Sequence, residues 1–316
     1  MVELKTHLQR GYILKEFRID SILGGGGFSK VYLAIHIPTK NKVVIKEYCP
    51  EDMTIRMPGG RVVPVSKEKA LVYSAGIKRF FSEASALVKV NHPNIVRVSN
   101  VFRANNTVYM VMDYEKGTDL RWYIKRHSGS LSEKFLYTVF PELLTGVDAM
   151  HAMGLLHLDI KPANVLLRPG GRPLLLDFGA AQHYLIGSHS PWAQTLTVGF
   201  APPEQHERGH LGPWSDIYAI GATMYSCISG RAPPAAPERV KKDRLTPAAK
   251  AFSRRYSKHL LQTIDWALKL DYRQRPKTAR EMLASGFAEQ MEIKSEPGGS
   301  RLLNALRRTW RRSEGG

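Results

Sequence analysis

His157-Leu158-Asp159-Ile160-Lys161-Pro162-Ala163-Asn164, followed after a short gap by Asp177-Phe178-Gly179, is the stretch around which the chain is organised. Two acids, a lysine and an asparagine are gathered here. Apolar runs flank both pieces: Leu155-Leu156 before the first, Val165-Leu166-Leu167 after it, and Leu174-Leu175-Leu176 before the second. Such runs predict short buried strands with polar residues at their ends, so the acids sit at loop mouths. One acid in one loop is ordinarily a cap or a turn residue. An Asp able to accept a proton, a Lys two residues on, an Asn five residues on and a second Asp past a strand can together handle a phosphoryl group and its Mg²⁺.

Upstream, extended segments at Tyr12-Ile13-Leu14 and Phe17 to Leu23 lead into Gly24-Gly25-Gly26-Gly27-Phe28-Ser29-Lys30-Val31. A glycine-rich turn between strands lets backbone amides approach phosphates without side chains in the way, although alone it reads more readily as a plain hairpin. Lys42-Val43-Val44-Ile45-Lys46 is a β-branched run ending on a lysine. Met57-Pro58-Gly59-Gly60 predicts a turn between two short strands, and helical spacing then runs from Lys67 through Glu83 to Val90, where Asn91-His92-Pro93 stops it. Asn94 to Val98 and Thr107 to Tyr114 predict two further strands.

Downstream of Gly117 the pattern is helical, at Leu120 to Ile124 and then from Ser132 to His151, with Leu136, Val139, Phe140, Leu143, Leu144 and Val147 at helical intervals. Gly187 to Thr197 is polar and irregular and ends in Gly199-Phe200-Ala201-Pro202-Pro203-Glu204-Gln205. Trp214 to Tyr225 predicts a buried helix with Asp216 near its start. After the linker Pro297-Gly298-Gly299-Ser300, the tail 301–312 places Leu302, Leu303, Leu306 and Trp310 on one helical face and arginines elsewhere, a pattern suited to an anionic membrane or a partner protein.

A chain of 316 residues is long enough for two lobes. Lys+Arg 46 against Asp+Glu 28 gives a net charge of +18, which favours anionic partners without choosing among them. Cys49 and Cys227 lack metal-ligand spacing and predict no disulfide framework. No run approaches a membrane span, the start Met1-Val2-Glu3-Leu4-Lys5 lacks the layout of a signal peptide, and the expectation is a cytoplasmic protein, peripheral at the inner face of the membrane if the tail binds lipid. No zinc, helix-turn-helix or aromatic stacking motif supports a nucleic-acid partner.

The central stretch resembles the H-R-D-x-x-x-x-N and D-F-G motifs of protein kinases, and the other parts follow in kinase order. Gly24, Gly26 and Val31 match the glycine-rich loop, with Ser29 in place of its third glycine; Val43-Val44-Ile45-Lys46 follows V-A-I-K with Val44 in place of alanine; Pro202-Pro203-Glu204 is close to A-P-E with Pro202 in place of alanine; Arg273-Gln274-Arg275-Pro276 matches a late kinase motif. Over about residues 12–285 the chain is similar to eukaryotic-like (Hanks-type) serine/threonine protein kinases, above all bacterial ones. The resemblance implies an α+β, bilobal protein kinase fold: an extension at 1–11, a β-rich N-lobe with one main helix at 12–114, a helical C-lobe at 115–290, and the linker and tail at 291–316. A longer gap between Lys46 and Glu83 than in a minimal kinase implies an inserted hairpin at about 50–75.

The implied activity is transfer of the ATP γ-phosphoryl group to Ser/Thr hydroxyls of protein substrates, including the chain itself, with Mg²⁺ or in its place Mn²⁺. By resemblance Asp159 is the base, Lys161 offsets phosphate charge, and Asn164 and Asp177 hold the metal. Lys46, fixed by Glu83, positions the α- and β-phosphates. Gly24, Gly25, Gly26 and Gly27 cover the phosphates; Val31, Val44 and Leu166 enclose the adenine; Met112 is the gatekeeper; Asp113, Tyr114 and Glu115 form the hinge. Asp216 braces the catalytic loop, and Arg275 pairs with Glu204. Leu158 stands where the family usually has arginine, implying activity that does not require a phosphorylated activation loop. The alternative reading is a pseudokinase or scaffold that binds nucleotide and partners without turnover.

Overall fold

The computed structural model describes residues 7–177, 182–183, 196–207 and 209–287. Phe178, Gly179, the segment Gly187 to Thr195 and the tail 301–312 lie outside them. The described residues divide into two compact units, one of those up to Asn91 with Val96–Glu115 and one of His92–Ile95 with those from Lys116 onward.

The first unit is built on a six-stranded antiparallel sheet of β1 (Ile13–Leu14), β2 (Phe17–Gly26), β3 (Ser29–His36), β4 (Lys42–Tyr48), β7 (Val98–Ala104) and β8 (Thr107–Asp113), in the order β1-β2-β3-β4-β8-β7. Alternation along β4 sorts its side chains. Val43 and Ile45 enter a core with Leu8, Leu14, Phe17, Ile19, Tyr32, Phe102 and Tyr109. Leu8 is buried there, so residues ahead of β1 belong to the same core. Val44 and Lys46 take the opposite face.

A hairpin of β5 (Thr54–Arg56) and β6 (Val62–Pro64) follows β4, then helix α1 (Lys67–Leu87). Arg56 is nearly inaccessible, donates to Gly60 O at 2.8 Å, and meets the fully buried Glu47 at 2.5 Å. Tyr32 and Tyr109 also donate to Glu47, at 2.8 and 2.5 Å. A buried carboxylate is tolerable only when satisfied in this way. Ser66 caps α1, its hydroxyl accepting from Lys69 N. Gly76 inside this helix is required by packing, since a Cβ there would lie 1.9 Å from Tyr48 Oη.

In the second unit α3 (Glu133–Ala152) packs against α5 (Pro213–Ser229) and α9 (Ala279–Gly286), and α5 against α8 (Lys258–Ala267). Every predicted apolar position of α3 from Leu136 to Val147 is buried. Helix α5 is buried from Ser215 to Ile228, its buried Thr223 and Ser226 hydroxyls donating to carbonyls four residues back, and Gly230 ends it in the left-handed region at φ 79°. Short strands β9 (Thr118–Asp119), β11 (Val165–Arg168) and β12 (Arg172–Leu175) form a small sheet, while β10 (Leu155–Leu156) pairs with β13 (Gln182–His183).

One predicted strand divides. Asn94 and Ile95 belong to the second unit: Asn94 Nδ2 donates to Pro173 O at 2.9 Å, Asn94 O accepts from Leu175 N at 2.8 Å, and Ile95 bridges Leu175. The strand proper begins only at Val98. Among the described residues no helix is long and apolar enough to cross a membrane, and Cys49 and Cys227 are buried free thiols.

Candidate active site

In the first unit, register places the predicted nucleotide residues on one face. Val31 pairs across β3 and β4 with Lys46, which pairs with Met110 on β8; Leu33, Val44 and Met112 form the next such row. Positions two apart on one strand share a face, so Val31, Val44, Lys46 and Met112 are neighbours. Lys46 and Met112 are buried. Gly24, Gly25 and Gly26 complete β2, opposite Val31, Lys30 and Ser29, leaving Gly27 and Phe28 as the tip of a tight hairpin. Asp113 N donates to Arg97 O at 3.1 Å, and Lys42 lies over the ring of Tyr114.

Glu83 lies on α1 as its spacing implied, but its hydrogen bond comes from Arg79, one turn earlier, at 2.6 Å. Burial pushes the Glu83 carboxyl above its usual range; Arg79 opposes this most, with Lys46 a further positive charge favouring the ionised form. Arg79 is absent from the sequence reading, although a four-residue spacing to Glu83 is visible there.

In the second unit Asp159, Lys161 and Asn164 of the central loop meet Thr197, which comes from further along the chain. Asp159 Oδ1 accepts from Thr197 Oγ1 at 2.7 Å, and its Oδ2 lies 2.8 Å from Lys161 Nζ. Lys161 Nζ also donates to Thr197 Oγ1 at 2.9 Å. Asn164 Nδ2 donates to Asp159 O at 2.8 Å and to Oδ2 at 3.0 Å. With its NH₂ so engaged, Asn164 offers its amide oxygen as a donor to a cation. Leu176 N donates to Asn164 O at 2.8 Å, and Leu176 O lies 2.9 Å from His157 Nε2, which fixes the backbone just before Asp177. Leu166 pairs with Asp119 across β11 and β9. Gly117 is needed nearby, since a Cβ would come within 2.5 Å of Leu167 O.

Leu158 and Asp177 have φ of 61° and 57°, uncommon for residues with side chains and a frequent mark of functional sites. The chain around Leu158 is held from both sides: Asp216 accepts from Leu158 N at 2.7 Å and from His157 N at 2.8 Å, and Gln205 Nε2 donates to Leu158 O at 2.9 Å. Asp216 also meets His151 Nε2 at 2.9 Å. Gln205 and His151 have no role in the sequence reading; only the folded chain brings them to this loop. Arg275 and Glu204 meet through a two-pronged contact at 2.7 and 3.1 Å.

Burial alone would push the Asp216 carboxyl up, but the hydrogen bond and charge of His151 and the bond from the His157 amide hold it below its usual range. A depressed carboxylate contributes stability that is fully present above the unfolded value and is lost as pH falls through the folded one. Asp216→Asn should therefore carry a constant penalty in urea melts near neutral pH, and that penalty should shrink in acid below about pH 4. A penalty independent of pH down to that range would contradict the assignment.

A model described as protein kinase domain matches residues 17–288. The chain is 34% identical over 233 residues to the probable serine/threonine-protein kinase PknB of Lactococcus lactis, covering 72% of this chain and 34% of that one. It is 31% identical over 221 residues to the SNF1-related protein kinase catalytic subunit alpha KIN12 of Arabidopsis thaliana, covering 70% and 41%. The chain thus spans less than half the length of these curated relatives. A solved structure titled "PpkA-294 apo form" superposes with a TM-score of 0.77 at 33% identity, covering 88% of this chain and 98% of that one.

Proposed function

The chain belongs to the protein kinase family, and from that premise we propose that it is an ATP-dependent serine/threonine protein kinase acting on protein hydroxyls, its own included. The observation that carries this reading is the closed network of Asp159, Lys161, Asn164 and Thr197. Asp159 takes the proton of the acceptor hydroxyl. Lys161, already against Asp159, offsets charge on the transferring group. Lys46 pairs with the α- and β-phosphates, and the Gly24–Gly27 turn covers them. Such catalysis is mainly positioning and electrostatics, so a network this tightly bonded is the expected form.

Among the described residues no group of three His, Cys, Asp or Glu could hold a metal alone. Asn164 and Asp177 supply two hard oxygen donors, which fits a Mg²⁺ that completes its shell with phosphate oxygens. When bound, the ion would neutralise charge developing across the phosphates. Mn²⁺ has the same oxygen preference and is expected to substitute.

Incubation with γ-labelled ATP, Mg²⁺ and a generic basic protein tests the reading. Label should transfer in the wild type and be lost in Lys46→Met. Nucleotide binding without transfer would favour the pseudokinase alternative.

Leu158 is buried where an arginine would otherwise be available to a phosphorylated loop. Ser188→Ala, Ser190→Ala and Thr195→Ala are accordingly expected to keep the rate within about twofold. Thr197→Ala is expected to cost about 10- to 100-fold in kcat, because the hydroxyl joins Lys161 to Asp159, and Thr197→Ser should recover most of it. A collapse at any of the first three positions would sink the independence from loop phosphorylation.

A further inference from the structure

The glycine-rich turn is tied to the segment that follows β4. Cys49 N donates to Phe28 O at 3.0 Å and Glu51 N to Gly27 O at 2.9 Å, so the chain at 49–51 runs as a rail along the tip of the turn. A side chain adds a third tie. Lys30, the second residue of β3, is 3% exposed, and its ammonium pairs with the Glu51 carboxylate. Its stem crosses the turn on the way: a Cβ on Gly25 would lie 3.3 Å from Lys30 Cδ. Lys30 thus touches the turn with its methylenes and the inserted segment with its charge, and Lys30 holds the Glu51 carboxyl below its usual range.

The far end of this rail is anchored. Thr54 N and Oγ1 both donate to Pro50 O, at 3.0 and 2.7 Å. Arg56 fastens β5 to the buried Glu47, Val62 N donates to Asn105 O at 2.8 Å, and Tyr12 Oη donates to Gly59 O at 3.1 Å. The hairpin is therefore fixed to the sheet, and what it holds is fixed with it. A run of four glycines has more conformational freedom to lose than any other sequence, and ordering it against a ligand costs affinity. A partner that orders it beforehand removes that cost.

We propose that the inserted segment Cys49–Pro64 is a clamp that holds the Gly24–Phe28 turn ready for nucleotide, with Glu51 and Lys30 as its positioning residues. The proposal rests on the reading of that turn as the phosphate-covering loop. Glu51 touches no nucleotide in this scheme; it acts through Lys30 and the turn.

Calorimetric titration of the full chain with ATP and Mg²⁺, beside steady-state kinetics, tests it. Glu51→Gln should raise Kd and KM for ATP about fivefold while kcat stays within about twofold, and it should lower the melting temperature more than Lys30→Met does, because it strands the buried ammonium. Lys30→Met should raise Kd similarly, and the double variant no further than either single one, because both remove the same tie. Should Lys30→Met fail to fold, Glu51→Lys sets two like charges together at an exposed position and should raise Kd beyond Glu51→Gln. An unchanged or lowered Kd in Glu51→Gln overturns the clamp, as does a fall in kcat with Kd unaltered. A wild type that binds ATP but transfers no phosphate overturns the catalytic reading and leaves the clamp to be judged on Kd; one that binds no ATP overturns both.

Discussion

Asp159→Asn should lower kcat by about 10³-fold while leaving KM for ATP within about twofold, a loss confined to the transition state. Asparagine is the right probe because it preserves the geometry. Its amide oxygen can still accept from Lys161 and Asn164, and its NH₂ can face the Thr197 hydroxyl, which reverses to accept. What it cannot do is take a proton. At about 1.4 kcal/mol per tenfold, the loss corresponds to about 4 kcal/mol of barrier, within reach of one positioned base but not of a residue that merely supports the loop. Retention of more than about a tenth of the rate would move the base elsewhere.

Arg275→Ala should be the most damaging single substitution for stability, at about 3–5 kcal/mol, read from urea unfolding or as a fall of about 10 °C in melting temperature. Arg275 is 1% exposed, and its guanidinium satisfies Glu204 on both oxygens as well as the carbonyls of Lys269, Trp214 and Leu270. Truncation leaves the buried Glu204 with Ser215 Oγ, at 2.9 Å, in place of a charge. Arg275→Lys keeps the charge but not the fork and should recover only part of the loss. The pair Arg275→Met with Glu204→Leu should recover more than either single change, since two absent charges cost less than one stranded one. A loss under about 1 kcal/mol in Arg275→Ala would mean that Glu204 is otherwise satisfied or protonated.

Much of this was legible in the sequence because the features are local or periodic. The apolar spacing of α3, the apolar run Ile217 to Ile220 of α5 and the β-branched run ending at Lys46 each announce an element whose burial follows from its pattern. Asp159, Lys161 and Asn164 lie within a few residues of one another, so their meeting needed only one loop, whereas Thr197 returns to them from 38 positions further on. Other features depend on where the chain returns. Asn94-Ile95 reads as strand by composition, yet its polar groups are satisfied by Pro173 and Leu175, far along the chain. Glu83 reads as the partner of Lys46; the hydrogen bond from Arg79 is local, four residues earlier on the same helix, and was legible as that spacing. Lys30 and Glu51 look like ordinary surface charges until the segment after β4 folds back over the glycine turn and buries the lysine. Gln205 carries no pattern that points to the carbonyl of Leu158.

The most direct measurement is phosphoamino-acid analysis of the protein fraction after the wild-type chain is incubated with γ-labelled ATP, Mg²⁺ and a basic protein substrate. Label recovered as phosphoserine and phosphothreonine, and absent when Asp159→Asn replaces the wild type, is the expected result. Label recovered only as inorganic phosphate, or on protein to the same extent with Asp159→Asn, would contradict it.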